Sequence, residues 1–200
     1  MKLKWILLVV FVMSLICFAA GSALAAISDS DFLDLCETGN LQQIEEAIND
    51  GANINARNED QETPLMWAAW GNPDPEVIAF LVKAGADIKA KDKEGDAPLM
   101  FAAISNSSAK IITALVEAGA DVNAQNDKGS TPLILAVKFN TEDLEAQRSE
   151  PSPEVIITLL QLGADAKIKD NELKMAIDYA KEVESLKDTD ALKQLNDASS

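Results

Sequence analysis

An all-α repeat solenoid is the fold class that this 200-residue sequence predicts, and two recurrences predict it. The phrase Thr63-Pro64-Leu65 returns as Ala97-Pro98-Leu99 and again as Thr131-Pro132-Leu133, 34 residues apart each time. Gly-Ala-Asn or Gly-Ala-Asp recurs at Gly51, Gly85, Gly119 and Gly163, at spacings of 34, 34 and 44. A fixed period of this length marks a structural unit that cannot bury its apolar face alone and stacks on copies of itself.

Residues 1–25 stand outside the repeat. Lys2 and Lys4 precede an apolar run from Trp5 to about Ala20, followed by Gly21, Ser22 and the triplet Ala23-Leu24-Ala25. A basic start, a short apolar centre and small residues at the end read as a secretory signal peptide cleaved after Ala25. The alternative, a retained membrane anchor, asks for a longer apolar run. Cys17 follows Ile16 rather than a small residue, which argues against a lipoprotein signal. The signal has a Gram-negative bacterial look and points to the periplasm, with secretion beyond the cell as the alternative. Cleavage removes two lysines and no acid, taking the formal charge from −16 to −18. It also leaves one cysteine, Cys36, which has no internal partner for a disulfide.

The rest divides into units at 26–57, 58–91, 92–125, 126–169 and 170–200. In the second unit, Thr63 is placed to cap a helix and Pro64 sits at the first helical position, where a missing N–H costs nothing. Leu65, Trp67 and Ala68 then fall inward at helical spacing, and the pair Ala68-Ala69 is small enough for close helix packing. A second helix carries Val77, Ile78, Leu81 and Val82 on one face. Its counterparts are Ile111, Ile112, Leu115 and Val116, then Val155, Ile156, Leu159 and Leu160. Each Gly-Ala-Asp glycine falls where a helix ends in a left-handed residue. The first unit is degenerate, with Phe32, Leu35 and Cys36 in its inner helix and Ile44, Ala47 and Ile48 in its outer one. The last has Met175-Ala176-Ile177-Asp178-Tyr179-Ala180 in place of Thr-Pro-Leu, and Ala191, Leu192 and Leu195 in its outer helix. Terminal units of this kind cap a stack.

These phrases resemble the ankyrin repeat family, whose period is about 33 residues and whose phrase is Thr-Pro-Leu-His-x-Ala. The resemblance covers essentially all of residues 26–200 and implies helix–turn–helix units joined by projecting β-hairpin-like turns. Three features depart from the family pattern. The period is 34, with the extra residue between the two helices (Trp70 to Pro75). The usual histidine is replaced by Met66, Met100 and Ile134, which predicts the loss of its local hydrogen bonding. The third full unit carries an acidic insertion of about ten residues near 141–153, which reads as tolerated loop length or as a partner-specific finger. A tetratricopeptide reading of the 34-residue period fails because its Trp/Gly/Tyr phrase is missing.

Composition narrows the function. Histidine is absent, which removes Ser-His-Asp and Cys-His catalysis and all His-ligated metal sites. No glycine-rich phosphate loop and no cysteine pair at ligand spacing occurs. The run Asp121, Asn123, Gln125, Asp127 is similar to a calcium loop, but Asn126 stands where glycine is required and Pro132 where the closing Glu belongs. No catalytic residue, metal or cofactor is therefore expected; an enzyme working through unrecognised carboxylates is the weakest alternative. The acid excess opposes nucleic acid and anionic membrane as partners and favours a monomer. Cys36 reads as a buried small side chain or, alternatively, as a redox-sensing thiol.

The resemblance implies protein–protein recognition through the turn tips and the concave face. The concave slots after the Ala-Ala pair hold Trp70, Ile104, and Lys138 with Phe139. Met66, Met100 and Ile134 either add to an apolar floor or pack between repeats. Glu59, Asp60, Glu62, Lys93, Glu94, Asp96, Asp127 and Lys128 form a mostly acidic rim. An apolar floor with an acidic rim suits a protein partner with an apolar knob in a basic surround. The expected role is a binding module, with a secreted effector or a toxin-neutralising immunity protein as alternatives to a periplasmic helper.

Overall fold

A computed structural model describes residues 27–105, 108–138 and 151–200. The expected signal segment, Phe139 and most of the insertion lie outside the described residues. Among those described, all regular structure is helical, and helices pair in antiparallel hairpins: α1 (Asp29–Thr38) with α2 (Leu41–Asn49), α3 (Pro64–Gly71) with α4 (Pro75–Lys83), α5 (Pro98–Ile104) with α6 (Ala109–Glu117), α7 (Pro132–Val137) with α8 (Pro153–Gln161), and α9 (Ala176–Ala180) with α10 (Asp190–Ser199). A short 3₁₀ turn, Glu184–Leu186, lies inside the last hairpin. The inner helices α1, α3, α5, α7 and α9 pack in sequence, and the outer helices pack in the same order. This is an all-α repeat solenoid.

Local chemistry explains the helix ends. Thr63 Oγ1 accepts from Met66 N at 3.4 Å and Thr131 Oγ1 from Ile134 N at 3.2 Å, satisfying donors that the first turn leaves unpaired. Prolines occupy the first helical turn of α3, α4, α5, α7 and α8. Pro153 opens the outer helix of the fourth repeat. Gly51, Gly85, Gly119 and Gly163 have φ between 95° and 108°, the left-handed cap that lets the chain leave each outer helix.

The core runs the length of the stack. Val77, Ile78 and Leu81, then Ile111, Ile112 and Leu115, then Val155, Ile156 and Leu159 are each at most 1% exposed. Ala68, Ala69, Ala102, Ala103 and Ala136 are equally buried between inner helices, where a small side chain lets backbones approach.

Polar side chains tie one repeat to the next. Asn55 donates to Gly85 O at 3.1 Å and accepts from Asp87 N at 2.9 Å; Asn123 does the same with Gly163 O and Asp165 N, at 3.3 and 2.8 Å. Arg57 donates to Lys91 O, Lys91 to Gln125 O and Gln125 to Lys169 O, one repeat after another. Asn123 and Gln125, two side chains of the stretch with a calcium-loop look, thus serve the stacking of repeats, while Asp121 accepts from Asn123 N within its own loop.

Candidate functional site

The repeat register decides which side chains line up along the row of inner helices. Residues 67, 101, 135 and 179 occupy one equivalent position, and residues 70, 104 and 138 the next one a turn later. The first column holds Trp67, Phe101, Leu135 and Tyr179. Near the N-terminal end of the stack, Trp67 and Trp70 of α3 meet Phe101 of α5 and Glu37 of α1. With Glu62, which precedes α3, they line a hollow of about 340 Å³. Trp70 and Phe101 stand edge to face, ring centres 6.5 Å apart and planes at 76°. Trp67 Nε1 donates to Glu62 Oε2 at 3.0 Å, and Asn58 Nδ2 donates to the same oxygen at 2.6 Å. These bonds pin both the indole and the carboxylate. Gly71 shapes the rim of the hollow. A Cβ there would run into the Glu37 side chain, so glycine lets Glu37 lie against the end of α3.

The structure corrects several expected site residues. Met66 and Met100 are completely buried and reach no partner. Their sulfurs fold back to accept from Thr63 N at 3.3 Å and Ala97 N at 3.5 Å, so the local bonding expected to vanish with histidine survives in a weaker form. Ile104 is buried because every residue of α5 is buried. Asp96 is buried beneath the turns, not displayed at their rim, and Glu62 belongs to the hollow. Trp67, expected inward with Leu65 and Ala68, is half-buried on the hollow. Trp70 is half-buried on the same hollow. Phe139 lies outside the described residues. Cys36 is fully buried in the core, and burial pushes its thiol up to about 12, which keeps it protonated and unreactive.

Lys138 is held inside the protein's own structure. Its Nζ lies 3.8 Å from Asp170 Oδ2, 3.3 Å from Glu172 Oε1 and 4.7 Å from the centre of the Tyr179 ring. Lys174 Nζ stands 4.9 Å from that ring and 3.3 Å from Glu172. Asp170 Oδ2 accepts from the Tyr179 hydroxyl at 2.5 Å. Burial pushes the Asp170 carboxyl up, but the bonds from Tyr179 and two backbone N–H groups, with Lys138 nearby, outweigh it and hold the group below the usual range.

The turns share one device. Asn58, Asp92, Asn126 and Asp170 each accept, through Oδ1, from a backbone N–H four residues on, and each closes a one-rung hairpin. Successive turns are joined by Lys93 N to Asp60 O, Asp127 N to Glu94 O and Asn171 N to Lys128 O, each at 3.0 Å. Exposed pairs, Lys93–Asp60 and Lys128–Glu94, soften the acidity of the rim.

Asp96 lies within this row, accepting from Asn126 Nδ2 at 2.7 Å. Burial drives its carboxyl from 3.8 to about 6, against the bond from Asn126. The folded state then holds the proton more tightly than the unfolded one, so this group's contribution to stability falls as pH rises from about 4 to about 6. Asp96→Asn keeps the acceptor and removes the buried charge. It is expected to raise stability by about 2 kcal/mol at pH 7 and to change little at pH 4. Urea titrations at both pH values check this; an equal gain at pH 4 would contradict the burial account.

The sequentially stacked helix pairs and linked turns define a repeat protein of the solenoid class. Models of ankyrin repeats match residues 71–170 and 32–82. The chain belongs to the ankyrin repeat family. No curated protein matches it. Membership points to a protein–protein interaction module.

Proposed function

We propose that the protein is a non-enzymatic interaction module that is exported to the bacterial periplasm and binds another protein on its concave face. The observation that carries the binding role is the hollow of Trp67, Trp70, Phe101, Glu37 and Glu62. Half-exposed tryptophans grouped in a concavity are costly to leave unless a partner covers them, and such residues dominate binding energy at interfaces. The signal-like residues 1–25 support export.

The test is affinity capture from an envelope extract with the wild-type protein and Trp70→Ala as paired baits. Capture of one protein by the wild type and its loss, by tenfold or more, from Trp70→Ala is expected, with unchanged circular dichroism and a nearly unchanged thermal midpoint. Equal capture by both baits would move binding off the concave face.

A further inference from the structure

We propose that the aromatic hollow receives a basic side chain, lysine or arginine, of the partner protein; this deepens the interaction-module reading and rests on it. The hollow combines three aromatic rings with two carboxylates, Glu37 and Glu62. Aromatic faces attract cations through their quadrupole, and a carboxylate at the edge supplies the counter-charge. An uncharged apolar knob would satisfy the rings but would strip water from both carboxylates without replacing it. A basic side chain satisfies both, its methylene stem along the rings and its charged end at the acids.

Among the described residues the same acids have no cationic partner: no lysine or arginine forms an ion pair with Glu37 or Glu62. Arg57, the one arginine among them, is turned to the carbonyls of Gln61 and Lys91.

The other end of the same column shows what this register position does when a cation is supplied. Tyr179 is the counterpart of Trp67 and Phe101, and two ammonium groups, of Lys138 and Lys174, lie within 4.9 Å of its ring centre. Asp170 and Glu172 flank them as Glu37 and Glu62 flank the indoles. At the C-terminal end the protein fills its aromatic–carboxylate site with its own lysines. At the N-terminal end the rings and acids are built and the cation comes from the partner.

Trp67 and Trp70 both line the hollow and report on it directly; the chain's third tryptophan is Trp5, in the signal-like segment. Intrinsic fluorescence of the full chain is titrated with acetyl-Gly-X-Gly-amide peptides in which X is arginine, lysine, norleucine or glutamate. Norleucine keeps the stem and drops the charge. The arginine and lysine peptides are expected to give saturable changes and to bind at least about tenfold more tightly than norleucine, the range of a partly desolvated cation–π contact. In the Glu37→Gln, Glu62→Gln double variant that preference is expected to fall below about threefold, since both amides keep the shape and lose the charge. Glu37→Gln alone, which leaves the Glu62–Trp67 bond in place, is expected to lower it part of the way, so a folding defect in the double variant does not remove the test. Norleucine binding as tightly as arginine, an undiminished preference in both variants, or no saturable change with any peptide would each overturn the proposal. The underlying reading fails differently. A partner that is lost from Trp70→Ala but held equally by the glutamine variants leaves the interaction module standing and removes the basic side chain. Full capture by Trp70→Ala removes both.

Discussion

Leu115→Ala is expected to destabilise the protein by about 3–4 kcal/mol, the cost of deleting a fully buried leucine where the surroundings relax only in part. Leu115 is completely buried on α6, the middle outer helix. Outer helix α6 packs on α4 before it and on α8 after it. A solenoid has no contacts between distant repeats, so its stability is close to a sum of units and nearest-neighbour interfaces. A cavity in the central unit therefore weakens the two interfaces through which the halves of the stack are coupled. Urea unfolding followed by circular dichroism is expected to show both a lower midpoint and a broader transition, as the halves begin to melt apart. Glu117→Ala, exposed on the same helix, serves as the control and is expected to change stability by less than about 0.5 kcal/mol. A cost below about 1 kcal/mol for Leu115→Ala would mean that the outer-helix layer collapses into the space, against the close packing of this layer.

The repeat is legible in the sequence because its signals are local. Capping threonines, first-turn prolines and left-handed glycines act within a few residues of themselves, and their recurrence at a constant spacing needs no knowledge of the fold. The hollow is less legible for a specific reason. Helix α3 reads Pro-Leu-Met-Trp-Ala-Ala-Trp-Gly, apolar all round, so periodicity within it cannot separate the core side from the open side. Trp67 accordingly reads as inward alongside Leu65. The signal that identifies it lies between repeats: Trp67, Phe101, Leu135 and Tyr179 form one register column that is large, while the column after it, Ala68, Ala102, Ala136 and Ala180, is small throughout. The methionines mislead in the other direction. A flexible side chain at the third helical position folds back on its own cap, a conformation that composition does not encode. Asp96 reads as an exposed turn acid, and its burial depends on Asn126 in the next repeat, a contact visible only once the turns are stacked.

Asn72→Ala is expected to cost about 3 kcal/mol, more than most polar substitutions, because it leaves buried groups without partners. Asn72 is 3% exposed and follows α3, where its side chain makes three hydrogen bonds. Its Nδ2 donates to Cys36 O and to Gly39 O, both at 2.9 Å, and its Oδ1 accepts from Asp74 N at 3.0 Å. The first two bonds clamp the end of α1 to the end of α3, and the third sets the turn into α4. The clamped strip includes Glu37, which lies between Cys36 and Gly39 and lines the aromatic hollow. Loss of Asn72 is therefore expected to act locally as well as globally: amide hydrogen exchange should rise across residues 29–50 more than across residues 151–200. Asn72→Asp separates the two effects. It keeps the acceptor for Asp74 N but faces two carbonyl oxygens with a carboxylate, and so is expected to be at least as damaging as alanine. Uniform loss of protection along the stack in Asn72→Ala would show that the first repeat does not depend on this clamp.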